Sequence, residues 1–271
     1  MNTQQQDQLT SARRTVLKTV GAAGLVATFG SQVVTSQSDE LLIEDWSDLT
    51  AIRENLDQNY ILANDIDQNT PGYDTHVATP EAGFNPIGTR ETRFTGTFDG
   101  QGNEIRDLVI DRPDENYVGL FAETWETNIT NISLVNAEVT GGDYVGGLVG
   151  INGGVIASAS TSGTITGNET VGCLAGYSKE NIGRSTASGD VSGTEQAGGL
   201  VGFITSQCEI TGSAATGNPQ LVEVVQFGGT PTVYIDGTQS HHRQRRISCR
   251  RRITTPGLCA PSRRCEHTVH Q

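Results

Sequence analysis

Acidic side chains recur at a fixed interval in this chain. Asp143, Glu169 and Glu195 lie 26 positions apart, and each follows a repeated glycine by two residues. If the chain stacks on that interval, the three carboxylates form a surface column. Unit charges about 4.8 Å apart repel by roughly 0.9 kcal/mol in water, and by several times that at lower effective dielectric. The column therefore recruits counter-ions. Its sharpest chemical form is a weak cation site, with Ca²⁺ shared between successive units. The plainer form, a solvated acidic face, is preferred, because a true site needs more oxygen ligands at fixed distances. No cofactor is expected.

Other residue sets are tested the same way. A glycosidase needs two carboxylates about 5 to 9.5 Å apart around a sugar. Asp99, Asp107 and Asp111 are the candidates, but their segment reads as a turn followed by a strand with exposed acids. His76 is the only histidine before position 240. There is no His-Glu-x-x-His and no Gly-x-Ser-x-Gly. Asp99-Gly-Gln-Gly102 makes a tight turn rather than a phosphate cradle, since no helix follows it. Cys249, Cys259, Cys265, His267 and His270 match no regular zinc-finger spacing. Cys173 and Cys208 occupy non-equivalent places, so buried free thiols are expected rather than a disulfide. These observations predict no catalysis, with a polysaccharide lyase or glycosidase as the alternative.

The elements that must position any such site follow from a longer repeat. Val145-Gly-Gly-Leu-Val-Gly150, Val171-Gly-Cys-Leu-Ala-Gly176 and Ala197-Gly-Gly-Leu-Val-Gly202 succeed one another at 26 residues. A period in this range means stacked units. Each copy holds short β-branched runs separated by Gly, Asn, Ser or Thr, which favours strands over helices. One unit reads as a strand over 144–150, a turn at Asn152-Gly-Gly154, a strand over 155–159, and a short strand over 163–167. A single coil cannot stand alone, because ordering its 26 residues costs on the order of 40 kcal/mol and its backbone groups have no partners. Stacking supplies both missing terms, in parallel ladders and in columns of like side chains. The predicted columns are Val145/Val171/Ala197, Leu148/Leu174/Leu200, Val149/Ala175/Val201 and Val139/Ile165/Val191. Whether the valine or the leucine of each phrase points inward is open, since a bulge at the paired glycines would reverse the alternation.

These phrases, with Asn152-Gly-Gly-Val-Ile and Gly-Thr-Ile-Thr-Gly167, resemble the GLUG repeat of secreted bacterial and archaeal surface proteins. The likeness covers roughly 119–217. Phe94-Thr-Gly-Thr-Phe-Asp-Gly-Gln-Gly-Asn-Glu-Ile-Arg-Asp-Leu-Val-Ile110 and Val118-Gly-Leu-Phe121 resemble the divergent coils that open such arrays. The resemblance implies an all-β, right-handed parallel β-helix used at cell surfaces and in adhesin-like or peptidase-associated proteins. It carries over no catalytic residue. Ser11-Ala-Arg13-Arg14-Thr15-Val16-Leu17-Lys18 resembles a twin-arginine export signal, although Val16 stands where Phe is usual and no Ala-x-Ala site follows. The apolar stretch over 20–29 is too short to cross a bilayer, which takes about 20 residues. Export to the cell surface or medium is expected, through Arg13 and Arg14, with cleavage between Gly30 and Asp39.

Charge agrees with an exported location. The chain has a net charge of −13; residues 39–239 carry 29 acidic and 7 basic side chains, whereas 240–271 holds 8 arginines and 1 glutamate. Such a body repels nucleic acid and anionic membranes and suits high salt, which points to a salt-loving archaeon. The expected partner is a surface glycan or protein, with no nucleic acid, no transmembrane span in the mature chain, and a monomeric state. Asn128, Asn131 and Asn168 head sequons open to glycosylation.

The expected organisation is an export signal and linker over 1–38, then a capping helix and divergent coils over 39–117. Repeat coils follow over 118–218, a capping hairpin over 219–238, and a basic disordered tail over 239–271 that reads as translated out of frame, with a genuine basic arm as the alternative. The capping helix runs over 47–56 with Ser47 as N-cap and Leu49, Ile52 and Leu56 at helical spacing.

Overall fold

A computed structural model describes residues 40–79, 82–205 and 207–217. The export signal, the hairpin over 219–238 and the basic tail with its cysteines and histidines lie outside the described residues. Four parallel sheets carry the chain. The first has seven strands in the order Glu40–Ile43, Asn59–Leu62, Thr97–Asp99, Asn128–Thr130, Val155–Ala157, Ile182–Gly183 and Ile210–Thr211. A second stacks Phe121–Glu123, Val149–Asn152, Ala175–Ser178 and Val201–Ile204. A third is centred on Ser133–Gly141 and Ser160–Thr166, and a small fourth joins Val145–Gly146, Thr170–Gly172 and Gln196–Gly198. Each turn of chain visits these sheets in sequence and returns one rung further on. The protein is a parallel β-solenoid.

The register follows the 26-residue interval. Val145 pairs with Val171 and Val171 with Ala197. Val149 pairs with Ala175 and Ala175 with Val201. Val139, Ile165 and Val191 stack in the same way. The Leu148 amide donates to the Leu174 carbonyl at 3.0 Å, and the Leu174 amide to the Leu200 carbonyl at 2.9 Å. All four predicted columns are therefore present.

The phrase itself folds differently from the single strand expected over 144–150. Val145–Gly146 and Val149–Asn152 belong to different sheets, and the chain turns a corner between them. Val145, Leu148 and Val149 are all fully buried. The corner resolves the inward-facing question, since it sends both the valine and the leucine into the core. The glycines make it possible: a Cβ at Gly146, Gly172 or Gly198 would lie 2.2, 2.1 or 1.9 Å from the carbonyl oxygen three residues on. Only a residue without a side chain tolerates that approach. The third-sheet strand is also longer than expected, running over Ser160–Thr166 with a register shift between Thr161 and Gly163.

The earlier coils, which lack the repeat, are filled by rings instead. Trp46, Tyr60, Phe84, Phe94, Phe98 and Phe121 are fully buried, with Phe94 and Phe121 centroids 4.9 Å apart. The helix is shorter and starts earlier than expected: Trp46–Ala51 is α-helical and Ile52–Glu54 is a 3₁₀ turn. Asp45, not Ser47, is its N-cap, accepting from the Ser47 and Asp48 amides at 2.8 and 2.9 Å. Burial of Trp46, whose Nε1 donates to the Asp67 carbonyl at 2.8 Å, sets that earlier start. Further along, Tyr73–His76 forms a short helical turn.

Cys173 and Cys208 are free thiols, as their non-equivalent positions predict, but only Cys173 is buried and Cys208 is half-buried. Burial is the first cause that pushes both thiols up to about 11, and it pushes the Tyr60 hydroxyl up to about 12. A group whose pKa is raised on folding stabilises the fold fully below its unfolded value and loses that contribution as pH rises through the folded value. The thiols start from 9.0, so their contribution is full below pH 9 and the thermal midpoint is expected to fall as pH rises from 9 toward 11. Cys173→Ala should flatten the fall in a pH series of melting curves. A midpoint independent of pH across that window would contradict the burial of these groups.

Candidate functional site

Parallel stacking places equivalent side chains over one another, so any outward residue type that repeats becomes a stripe. On the second sheet the stacked set is Glu123, Ile151, Tyr177 and Phe203. The Tyr177 and Phe203 rings lie parallel, 5.3 Å apart and 3° from coplanar. Tyr117 and Tyr144, on the turns just before Val118 and the fourth-sheet strand Val145–Gly146, stack at 5.4 Å and 13°. Tyr144 meets Tyr177 edge-on at 6.1 Å. Four half-buried rings thus form a continuous strip, one per successive coil.

Tyr117 and Tyr144 both sit in the left-handed region, with φ of 64° and 61°. A bulky L-residue there is strained, and such strain persists where the surroundings over-determine it, often at binding sites. Local backbone preference does not favour tyrosine at these turns, and what the two residues contribute there is their stacked rings.

Beside the strip lies a charged centre. The Glu123 carboxylate is completely buried, which is costly without partners. Arg93 Nε donates to Oε1 at 2.8 Å, Arg90 Nη1 to Oε2 at 3.2 Å, and Lys179 Nζ to Oε1 at 3.5 Å. The three cations remain partly exposed, at 47, 36 and 30% for Arg90, Arg93 and Lys179. Each also rests on a ring. Arg90 lies 5.3 Å from the Tyr117 centroid, Arg93 5.5 Å and Lys179 5.6 Å from that of Trp125, and Lys179 6.0 Å from that of Tyr177. Trp125 is 41% exposed. The next coil has Gly153 beneath it, where a Cβ would come within 3.1 Å of the indole.

Two depressions flank this centre. One, of about 420 Å³, is lined by Arg53, Arg90, Glu91, Glu115, Asn85 and Tyr117 among others. The other, of about 310 Å³, is lined by Trp125, Glu126, Tyr177, Lys179, Glu180 and Thr205 with Gly153 and Gln207.

The candidates read from sequence lie elsewhere. The turns bearing Asp143, Glu169 and Glu195 do stack, with Asp143 half-buried and the two glutamates exposed. Among the described residues, no group of three or more His, Cys, Asp or Glu side chains is placed to hold a metal ion. Asp99 accepts from the Gln101 amide at 2.9 Å and from Asn131 Nδ2 at 3.0 Å, which is turn chemistry. Asp107 has a left-handed φ of 58° and accepts from Asn136 Nδ2 at 2.8 Å. Asp99 ends a strand of the first sheet, whereas Asp111 lies on the third. His76 is half-buried at the end of its helical turn, its pKa lowered by burial and then by Arg53. Asn128, Asn131 and Asn168 are all exposed.

Sequence reasoning missed Glu123, Arg90, Arg93, Trp125 and the tyrosines. One signal was available, since Tyr177 and Phe203 share the 26-residue interval and Tyr117 and Tyr144 lie 27 apart.

Comparison with known proteins gives partial relatives. A stretch of 134 residues is 40% identical to halomucin of Haloquadratum walsbyi, covering 45% of this chain and 1% of that protein. The chain is similar to a small part of halomucin. A stretch of 131 residues is 33% identical to a Gly-rich membrane protein of Evansella cellulosilytica, covering 46% of this chain and 15% of that one. No family model matches the chain, so the GLUG likeness rests on the quoted phrases alone. Among solved structures, a Bacteroides ovatus protein described as an immunoglobulin A1 protease aligns over 68% of each chain, at 17% identity and a TM-score of 0.46.

Proposed function

We propose that this chain is an exported, non-catalytic binding module of the cell surface, with the β-solenoid acting as a stiff scaffold for adhesive contact. The observation that carries the reading is the strip Tyr117, Tyr144, Tyr177 and Phe203, extended sideways by Trp125. Rings delivered at one per coil suit an extended ligand. Aromatic faces provide large contact area at low conformational cost, and the tyrosine hydroxyls supply polar tips. Similarity to halomucin and to a membrane protein supports a surface location, as do the twin arginines at 13 and 14. Asp99 and Asp107, two of the three carboxylates considered for catalysis, are engaged in turn hydrogen bonds, which supports binding over turnover.

Co-sedimentation with a panel of insoluble neutral and acidic glycans tests this reading. Asn is tolerated at left-handed φ, so Tyr144→Asn removes a ring without adding backbone strain. Combined with Tyr177→Ala it should reduce retention on the preferred glycan by at least about 10-fold. Retention unchanged in the double variant would reject the aromatic face, and release of new sugar ends by the wild type would favour the polysaccharide-degrading alternative.

The acidic body supports a salt-rich habitat. Raising salt from about 0.1 M to about 1 M shortens the Debye length from about 10 to 3 Å and screens its self-repulsion. The thermal midpoint is expected to rise over that range, and a midpoint that fell would contradict this account of the charge.

A further inference from the structure

The Glu123 centre carries more positive charge than its own carboxylate uses. Three cations meet at one buried anion, a local gathering of positive charge in a body where residues 39–239 hold 29 acidic and 7 basic side chains. A structural ion pair would need only one cation. The donors are also incompletely used. Arg93 binds Glu123 through Nε and Arg90 through one terminal nitrogen, so both guanidinium groups retain N–H donors for a further acceptor. Stacking on Tyr117 and Trp125 holds these groups at the surface, beside the two depressions.

We propose that this centre binds an acidic saccharide, with Arg90, Arg93 and Lys179 holding the anionic group while the sugar ring packs against Trp125 and Tyr177. The proposal rests on the aromatic face being the ligand face and adds the chemical class of the ligand. Planar guanidinium groups match a carboxylate or sulfate, and the rings beside them match a sugar's apolar face. Glu126 and Glu180 on one depression, and Glu91 and Glu115 on the other, set an upper limit on charge density. They repel a densely charged chain such as a polyphosphate or nucleic acid, and tolerate a polymer with one anion per sugar. High salt removes long-range steering but leaves contact pairs within hydrogen-bond distance. The strip then serves the neighbouring sugars of the same polymer, coil by coil.

The test compares polygalacturonate with its carboxyl-reduced, neutral form, and with a sulfated galactan, by co-sedimentation in about 1 M salt, where the Debye length is near 3 Å. The wild-type chain is expected to bind polygalacturonate or the sulfated galactan at least about 10-fold more tightly than the reduced polymer, the size of one charge-assisted hydrogen bond. Lys179→Gln leaves Arg93 and Arg90 on Glu123, so the fold is retained. It should abolish most of that preference, whereas Trp125→Ala should weaken binding of the charged and the reduced polymer alike. Equal binding of charged and reduced polymers, or a preference that survives Lys179→Gln, overturns the proposal and leaves the aromatic face intact as a neutral-glycan surface. Retention on anionic lipid vesicles with none on any polymer also overturns it. If the wild type binds no polymer and no glycan of the wider panel, the aromatic-face reading falls with it.

Discussion

Gly172→Ala is expected to destabilise the protein by about 3 kcal/mol or more, the upper part of the range for overpacking, and so to lower the thermal midpoint by roughly 6 to 12 °C. The added methyl would stand 2.1 Å from the Ala175 carbonyl oxygen, 2.6 Å from the Gly202 amide nitrogen and 2.7 Å from the Val201 Cα. All three are backbone, and no rotamer change relieves them. Gly172 also lies in the middle strand of its sheet, between Gly146 and Gly198, so a local shift would break the ladder on both sides. Gly183→Ala is the control: its nearest neighbour would be the Thr211 hydroxyl at 3.7 Å, an ordinary contact. Urea titration should place this control near wild type. Equal stability of the two variants would mean that the corner does not have this geometry.

The second large effect concerns Glu123. Arg93→Ala removes the shortest of its three contacts, at 2.8 Å, and leaves a completely buried carboxylate with Arg90 and Lys179 at 3.2 and 3.5 Å. Removing one partner from a fully buried pair typically costs about 3–5 kcal/mol, most of it the desolvation of the charge left behind. Arg93 is 36% exposed, so water can enter the vacated space. A loss of about 2 kcal/mol is therefore expected after that discount for screening. Adding Glu123→Gln to Arg93→Ala should recover much of the loss, because the orphaned charge is then gone. Unfolding in urea of the two single variants and the double variant measures the coupling. Strict additivity would mean that Glu123 is not held by Arg93.

Parts of this architecture are legible in the sequence because stacking copies a side chain's neighbours from coil to coil. Val149, Ala175 and Val201 announce their contact by spacing alone, as do Val139, Ile165 and Val191. The corner at Gly146 is not legible in the same way. Alternation along Val-Gly-Gly-Leu-Val fits a bulged strand and a corner equally well, and only the close approach of the carbonyl three residues on separates them. At the helix, Asp45 and Ser47 are both good caps, and the burial of Trp46 decides between them. Glu123 is the least legible feature. Its partners lie 33, 30 and 56 residues away. Two of them, Arg90 and Arg93, sit in a segment without the repeat. A carboxylate off the acidic column has no periodic signal, whereas the column of Asp143, Glu169 and Glu195 is conspicuous in sequence and sits on turns without the converging cations that mark Glu123.

Cross-linking between adjacent coils tests the stacking most directly. Thr164 pairs with Asp190 across neighbouring strands, and both are exposed. With the native cysteines replaced by Ala, Thr164→Cys with Asp190→Cys should form a disulfide under mild oxidation, since parallel neighbours about 4.8 Å apart fall within disulfide reach. Thr164→Cys with Ser188→Cys, an exposed position two residues out of register and just before the Asp190–Ser192 strand, should form it far more slowly. Peptide mapping that finds the 164–190 link in high yield and little 164–188 link is the predicted result. Comparable yields from the two pairs, or no link at 164–190, would contradict the in-register stack on which the aromatic strip and the Glu123 centre both depend.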